Sequence, residues 1–227
     1  MLAFRIPNSG TNSNRWAASL TDGDDSAKSD DFTPLVVVIS GPSGVGKDVL
    51  IEGMAGRGLD YHFTVTATTR APRPGEEEGI NHHFLSVDEF ERAIRDDELL
   101  EWARVYGNYY GVPKQQVRDA LSQGKHVIIR VDLQGALRIK ELAPEALMIF
   151  IHPPNMEVLR ERLERRGVNS EADIATRLDS AATEIEQSVA FDRQVVNREG
   201  KLESAVEEVI EIVYKESHRV PPRMVKI

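Results

Sequence analysis

The chain has 227 residues, no cysteine and a formal net charge of −9, with 41% hydrophobic and 29% charged residues. These figures fit one globular catalytic domain carrying an insertion or two; they exclude disulfides, thiolate catalysis and cysteine-ligated zinc, and no apolar run approaches the roughly 18 residues of a membrane span. The surplus of acid argues against binding a nucleic acid polymer, which depends on neutralising phosphates, so an anionic ligand must be held by a local cluster of cations.

Residues 1–34 are rich in Ser, Asn, Gly and Asp and are expected to form a flexible tail. Arg5 and Arg15, with no acid before Asp22, weakly resemble an organelle transit segment. The acids from Asp22 to Asp31 do not fit one, so a cytoplasmic protein is expected, with organelle import as the alternative. "LVVVIS", from Leu35, is a continuous apolar run of the kind buried on both faces of a parallel sheet. A helix is predicted from about Gly46 to Ala55, ended by Gly56. "HFTVTATT" reads as a second strand, and two prolines and two glycines make residues 71–79 a loop. Ser86 and Glu89 form a capping box for a helix to about Arg95. A further helix is expected from about Pro113 to Leu121, stopping near Gly124, followed by the strand "HVIIRVD" and the buried strand "ALMIFIHPP". Asn155 caps a basic helix stopped by Gly167, Ser170 and Asp173 cap the next, "DRQVVN" is a late strand, and "LESAVEEVIEIVYKE" is the last helix. Strands alternate with helices, which predicts a three-layer α/β/α fold around a parallel core sheet.

Gly41, Gly44, Gly46 and Lys47 match G-x-x-x-x-G-K directly after a buried strand and at the start of a helix. Glycines allow backbone N–H groups to turn onto phosphates, the helix N-terminus adds positive potential, and the lysine reaches the outer phosphates. A nucleoside triphosphate is the expected ligand. Such a site needs an acid at the end of a neighbouring strand to hold magnesium; Asp132 is the candidate, and a helix-capping aspartate is the alternative reading of the same residue.

These motifs, with "TATTRAPRPGEEEG", "LLEWARVYGNYYG", "VDLQG", "RRG", "TRL" and "VVN" in order, resemble the guanylate kinase family from about Leu35 to Val213. The resemblance implies transfer of phosphate from ATP to GMP with Mg2+, in a P-loop kinase fold with a GMP-binding insertion at about 66–114, a short helical lid at about 155–178 and a C-terminal tail at 221–227. ATP would be bound by Gly41, Pro42, Ser43, Gly44, Val45, Gly46, Lys47 and Asp48, with Asn197 on the adenine side. GMP would be bound by Thr66, Arg70, Arg73, Glu76, His82, Glu101 and Tyr110. Lys47, Arg70 and the lid arginines Arg162, Arg166 and Arg177 would neutralise the transferring phosphoryl group, and Asp132 with Asp48 would serve the metal. A monomer or homodimer is expected.

Several of these assignments have a physical reason beside the likeness. Pro72 and Pro74 favour extended backbone with three residues per turn, so Arg70 and Arg73 would project to one side, and guanidinium forks suit a phosphate dianion. A carboxylate such as Glu101 can accept from both the ring N–H and the exocyclic amine of guanine, a donor pair adenine lacks. Trp102 is expected in the core.

The chain departs from the family pattern where Asp48 replaces Ser or Thr, Arg130 replaces an acid, His82 replaces a tyrosine, and Val112 replaces a hydroxyl residue. Asp48 and Arg130 are expected to form a compensating pair, with residues 130 and 132 on one strand face. His82 and His83 lack a third ligand at sensible spacing for zinc. Two other functions compete. A guanylate-kinase-like protein-binding module is opposed by intact Lys47, Arg70, Arg73 and Glu101; a sugar-phosphate kinase is opposed by Glu101 and its motif.

Overall fold

The computed structural model describes residues 32–105, 107–165 and 170–227. Most of the expected tail, Gly167 and Arg166 fall outside these residues. The parallel core sheet has the order β2-β7-β1-β8-β9, built from β1 (Val36–Ser40), β2 (Tyr61–Phe63), β7 (His126–Arg130), β8 (Leu147–His152) and β9 (Arg193–Val196). β1 is central and wholly buried. Its side chains alternate between two cores. Val37 and Ile39 meet Leu50 and Met54 of α1 (Lys47–Ala55) and Val206, Val209 and Val213 of α7 (Leu202–Ser217). Val36 and Val38 meet Val117 of α3 (Lys114–Ser122) and Leu133, Ala136 and Ile139 of α4 (Leu133–Leu142). The fold is therefore the expected three-layer α/β/α arrangement.

A second sheet, of order β4-β3-β6-β5, comprises β3 (Thr66–Thr68), β4 (His82–Phe84), β5 (Leu99–Val105) and β6 (Asn108–Pro113). One face packs on α2 (Val87–Arg95), where Phe90 stacks on Tyr109 at 5.1 Å and half-buried Trp102 joins the cluster. The Ser86–Glu89 capping box is present as expected.

The single strand expected over "HFTVTATT" is two strands in different sheets. Thr64 still bonds to Ile128 of the core sheet, but at Val65 the backbone is taken over by a side chain: the buried Gln116 amide accepts from Val65 N at 2.8 Å and donates to Val65 O at 2.8 Å. The chain leaves the core sheet before Val65 and returns to it through Pro113 and α3, so Gln116 joins the two crossing points.

The expected strand "HVIIRVD" also ends early, at Arg130. Asp132 is the N-cap of α4, its Oδ1 accepting from Gly135 N at 2.8 Å, so residues 130 and 132 do not continue one strand face. α5 (Met156–Arg165) begins at the expected Asn155 cap, and α6 (Glu171–Gln187), capped by Ser170 and Asp173, runs beyond the expected lid boundary.

Both described ends are held. Within the segment assigned to the N-terminal tail, Thr33 N donates to Ser217 O at 2.9 Å and Phe32 lies against His126. Near the C-terminus, Arg223 is buried and bonds to Glu216 at 2.8 Å, and Val225 and Ile227 pack on the core. Val225 and Ile227, two residues apart, thus hold the segment assigned to the C-terminal tail against the core.

Candidate active site

The strand-to-helix turn after β1 depends on glycine at two positions above all. Gly41 has φ +147°, and a Cβ there would sit 2.4 Å from Ile151 O; Gly46, the N-cap of α1, has φ +99°, and a Cβ would meet Asn197 Nδ2 at 2.5 Å. Lys47 follows and folds back on its own loop, donating to Gly41 O and, at 3.1 Å, to Pro42 O. The helical pair α5 and α6 leans on the same loop. Arg162 donates to Val45 O at 3.0 Å and Asn197 O at 2.9 Å, and Arg177 donates to Ser43 Oγ at 3.0 Å. Asn197, buried at the end of β9, donates to Val45 O at 2.9 Å.

In front of the loop lies a cavity of about 420 Å3. Its near wall holds Gly41, Ser43, Lys47 and Asp48; its far wall holds Thr66, His82, Glu101 and Tyr110 from one face of the second sheet. Period-two alternation explains that wall: Glu101, Ala103 and Val105 of β5 point into the cavity, and Trp102 points to α2. Arg130, Asp132 and Glu184 close the side. A second cavity of about 390 Å3, bordered by Gly46, Arg162, Asn197 and Arg198, opens on the other side of the loop.

Glu101 is the electrostatic centre of the far wall. It is 6% exposed, and burial, then the nearby Asp132 carboxylate, push its pKa up to about 7 against a smaller opposing pull from Arg138. Gly135 of α4 makes room for it, since a Cβ there would lie 3.0 Å from Glu101 Oε2. His82 Nδ1 and Thr66 Oγ1 are hydrogen-bonded at 2.8 Å, and burial and then Arg70 pull the imidazole pKa down.

The proline-flanked arginines do not form the cavity wall. Arg70 is held in a bidentate pair with Glu76, at 2.8 and 2.9 Å, and Glu76 also accepts from Arg73 N at 2.7 Å. Those bonds to Arg70 and then Arg73 lower the Glu76 pKa to about 2. Glu76 thus orients Arg70 through its side chain and Arg73 only through its backbone. The pair joins the cavity through neighbours: Arg70 lies close enough to Tyr110 and His82 to act on them electrostatically.

Asp48 and Arg130 make the expected ion pair, both side chains remaining partly exposed in the cavity wall. Asp132 combines its capping role with a place in the same wall. Val112 is fully buried in the core, opposite Glu101 in the β5–β6 ladder, and contributes nothing to the wall. Glu184 was not apparent from the sequence, where it sits in the polar stretch "ATEIEQ" of α6; its seven-residue spacing from Arg177, two helical turns, is the signal that puts both on one face. Among the described residues, no group of three or more His, Asp or Glu side chains could hold a metal ion unaided.

A family model described as guanylate kinase matches residues 33–216. A guanylate kinase of Gloeobacter violaceus is 46% identical over 181 residues, covering 80% of this chain and 87% of its own length. One from Clostridium perfringens is 44% identical over 186 residues, covering 82% and 85%. The crystal structure of guanylate kinase from Anaplasma phagocytophilum superposes with a TM-score of 0.66 at 33% identity, covering 83% of this chain and 89% of that one.

Proposed function

The chain belongs to the guanylate kinase family, and from that premise we propose how its cavity carries out the family reaction. The enzyme transfers the γ-phosphate of ATP to GMP, forming ADP and GDP. One observation carries the residue assignments: Lys47 and Glu101, the groups suited to a triphosphate and to guanine, line a single cavity.

The acceptor phosphate is already an oxyanion, so the reaction needs positioning and charge neutralisation and no general base. Lys47 leaves its loop carbonyls to bind the outer phosphates of ATP, on the loop from Gly41 to Asp48. Glu101 accepts from the two donors on the guanine edge, with Thr66 beside it. Tyr110, His82, Arg70 and Arg73 receive the GMP phosphate, and Glu76 holds Arg70 in register. Arg162, Arg166 and Arg177 belong to the lid, and Asn197 faces the adenine side. The insertion 66–114 and the helical pair beginning at Asn155 are the two bodies that close over the substrates.

Charges in the wall bear on the cofactor. Lys47 and Arg130 face Asp48, Glu101, Asp132 and Glu184, two cations against four acids, so the phosphates of ATP require a further cation. Magnesium fits this set, because it takes one or two carboxylates and completes its shell with water and phosphate oxygens. Asp132 and Asp48 would hold it; when bound it neutralises phosphate charge. The protein is assigned to the cytoplasm, acting on ATP and GMP as a monomer or homodimer.

The assay that tests this function measures ADP release with ATP and magnesium, comparing GMP, AMP, CMP and UMP as acceptors. GMP alone should give rapid release; no release with any of the four would leave the protein-binding reading.

The Asp48–Arg130 pair has its own test. Asp48→Arg and Arg130→Asp should each lower kcat/KM, and the reversed pair should retain more activity than either single change, giving a coupling of roughly 1 kcal/mol. Simply additive losses would separate the two residues in function.

A further inference from the structure

We propose that Glu184 is a specificity-determining residue that makes the phosphate end of the cavity accept ATP as its magnesium complex and disfavour the metal-free nucleotide. The inference rests on the reading of this cavity as the ATP site and gives Glu184, there only one of four acids in the wall, a role of its own.

Its basis is the placement of Glu184. α6 crosses the phosphate loop with one face: Arg177 donates to Ser43 Oγ at 3.0 Å, and Glu184, two turns later, lines the cavity that Lys47 and Asp132 also line. The other acids at this end already have partners. Asp48 is paired with Arg130, and Asp132 caps α4 through Gly135 N. Glu184 comes from a separate element, α6, and adds a negative charge to a wall already rich in carboxylates. It is half-buried; burial raises its pKa, Lys47 lowers it and Asp132 raises it further, which locates both groups within electrostatic reach of its carboxyl.

A bare triphosphate entering this end brings its oxygens toward Glu184 in a partly desolvated space, where like charges repel more strongly than in water. The same phosphates carrying a divalent cation arrive largely neutralised. Lys47 cannot offset the repulsion alone, since it must also give up its bonds to Gly41 O and Pro42 O. Glu184 therefore penalises the metal-free nucleotide selectively, and needs no direct bond to the metal to do so.

The test is equilibrium binding of ATP, without acceptor, at pH 8 and fixed ionic strength, once with excess magnesium and once with EDTA. Glu184→Gln should tighten metal-free ATP about tenfold and change the magnesium complex by less than about twofold, so that the preference for the complex drops about tenfold. Glu184→Asp should keep most of the preference, and Glu186→Gln, an exposed neighbour on the same helix, should keep all of it. Thermal unfolding of each variant reports whether it is folded. If Glu184→Gln is folded and leaves the preference unchanged, tightens both forms equally, or weakens both, the proposal is overturned. If the wild-type chain binds neither form, it is the reading of the cavity as an ATP site that fails.

Discussion

Glu101→Gln is expected to lower kcat/KM for GMP by about 10^4-fold and, in the same protein, to raise stability at alkaline pH. Guanine presents two donors to the carboxylate; glutamine offers one acceptor and turns an amide N–H on the other, and a site built on matched polar groups discriminates at about that level. Steady-state rates with GMP and AMP check this, and a variant that still prefers GMP strongly would remove Glu101 from base reading.

The stability gain follows from linkage. The folded-state pKa of Glu101 is about 7, above the ordinary 4.5, so the fold favours the neutral acid. Its contribution is fully present below pH 4.5 and lost as pH rises through 7. At pH 8 the buried ionised group costs roughly 3 kcal/mol, and glutamine removes that cost. Denaturant unfolding should find the variant more stable at pH 8 and equal to wild type near pH 4. Because binding uses the ionised form, wild-type kcat/KM for GMP should fall on an acid limb starting near pH 7, above the second phosphate pKa of about 6. A limb confined to the phosphate range would contradict the raised value.

Lys47→Met should lower kcat by about 10^3-fold while leaving the fold intact, since one preorganised charge aimed at the transferring phosphates is worth two to three orders of magnitude. Lys47→Arg should rescue little. The ammonium reaches two carbonyls of its own tight loop, and a planar guanidinium cannot follow that path. Retention of more than a tenth of the activity in Lys47→Met, measured by ADP release, would mean that the loop is not where transfer is neutralised.

The core of the fold could be read from the chain because its signals are local. β1 and β8 are continuous apolar runs, the helices carry capping boxes at Ser86 and Ser170, and the phosphate loop is a fixed spacing of glycines. The second sheet could not. β3 and β4 are only three residues long, and in "LLEWARV" a bulge between Leu99 and Glu101 shifts the alternation at the start of β5. Motif likeness did name Thr66, His82, Glu101 and Tyr110, and the four do share one wall. It could not tell that Arg70 and Arg73 stand outside that wall, because proline spacing fixes backbone shape and says nothing of Glu76 clamping the guanidinium. Glu184 stayed hidden because a carboxylate on a helix looks alike whether it faces water or a cavity.

Gln116 has a wider consequence than its two bonds. The second sheet packs on the core through Leu100 and Val112, and where the chain crosses between the two sheets one amide stitches Val65 to α3, imitating a missing strand partner. Any movement of that sheet against the core has to turn about this stitched root or break its two bonds.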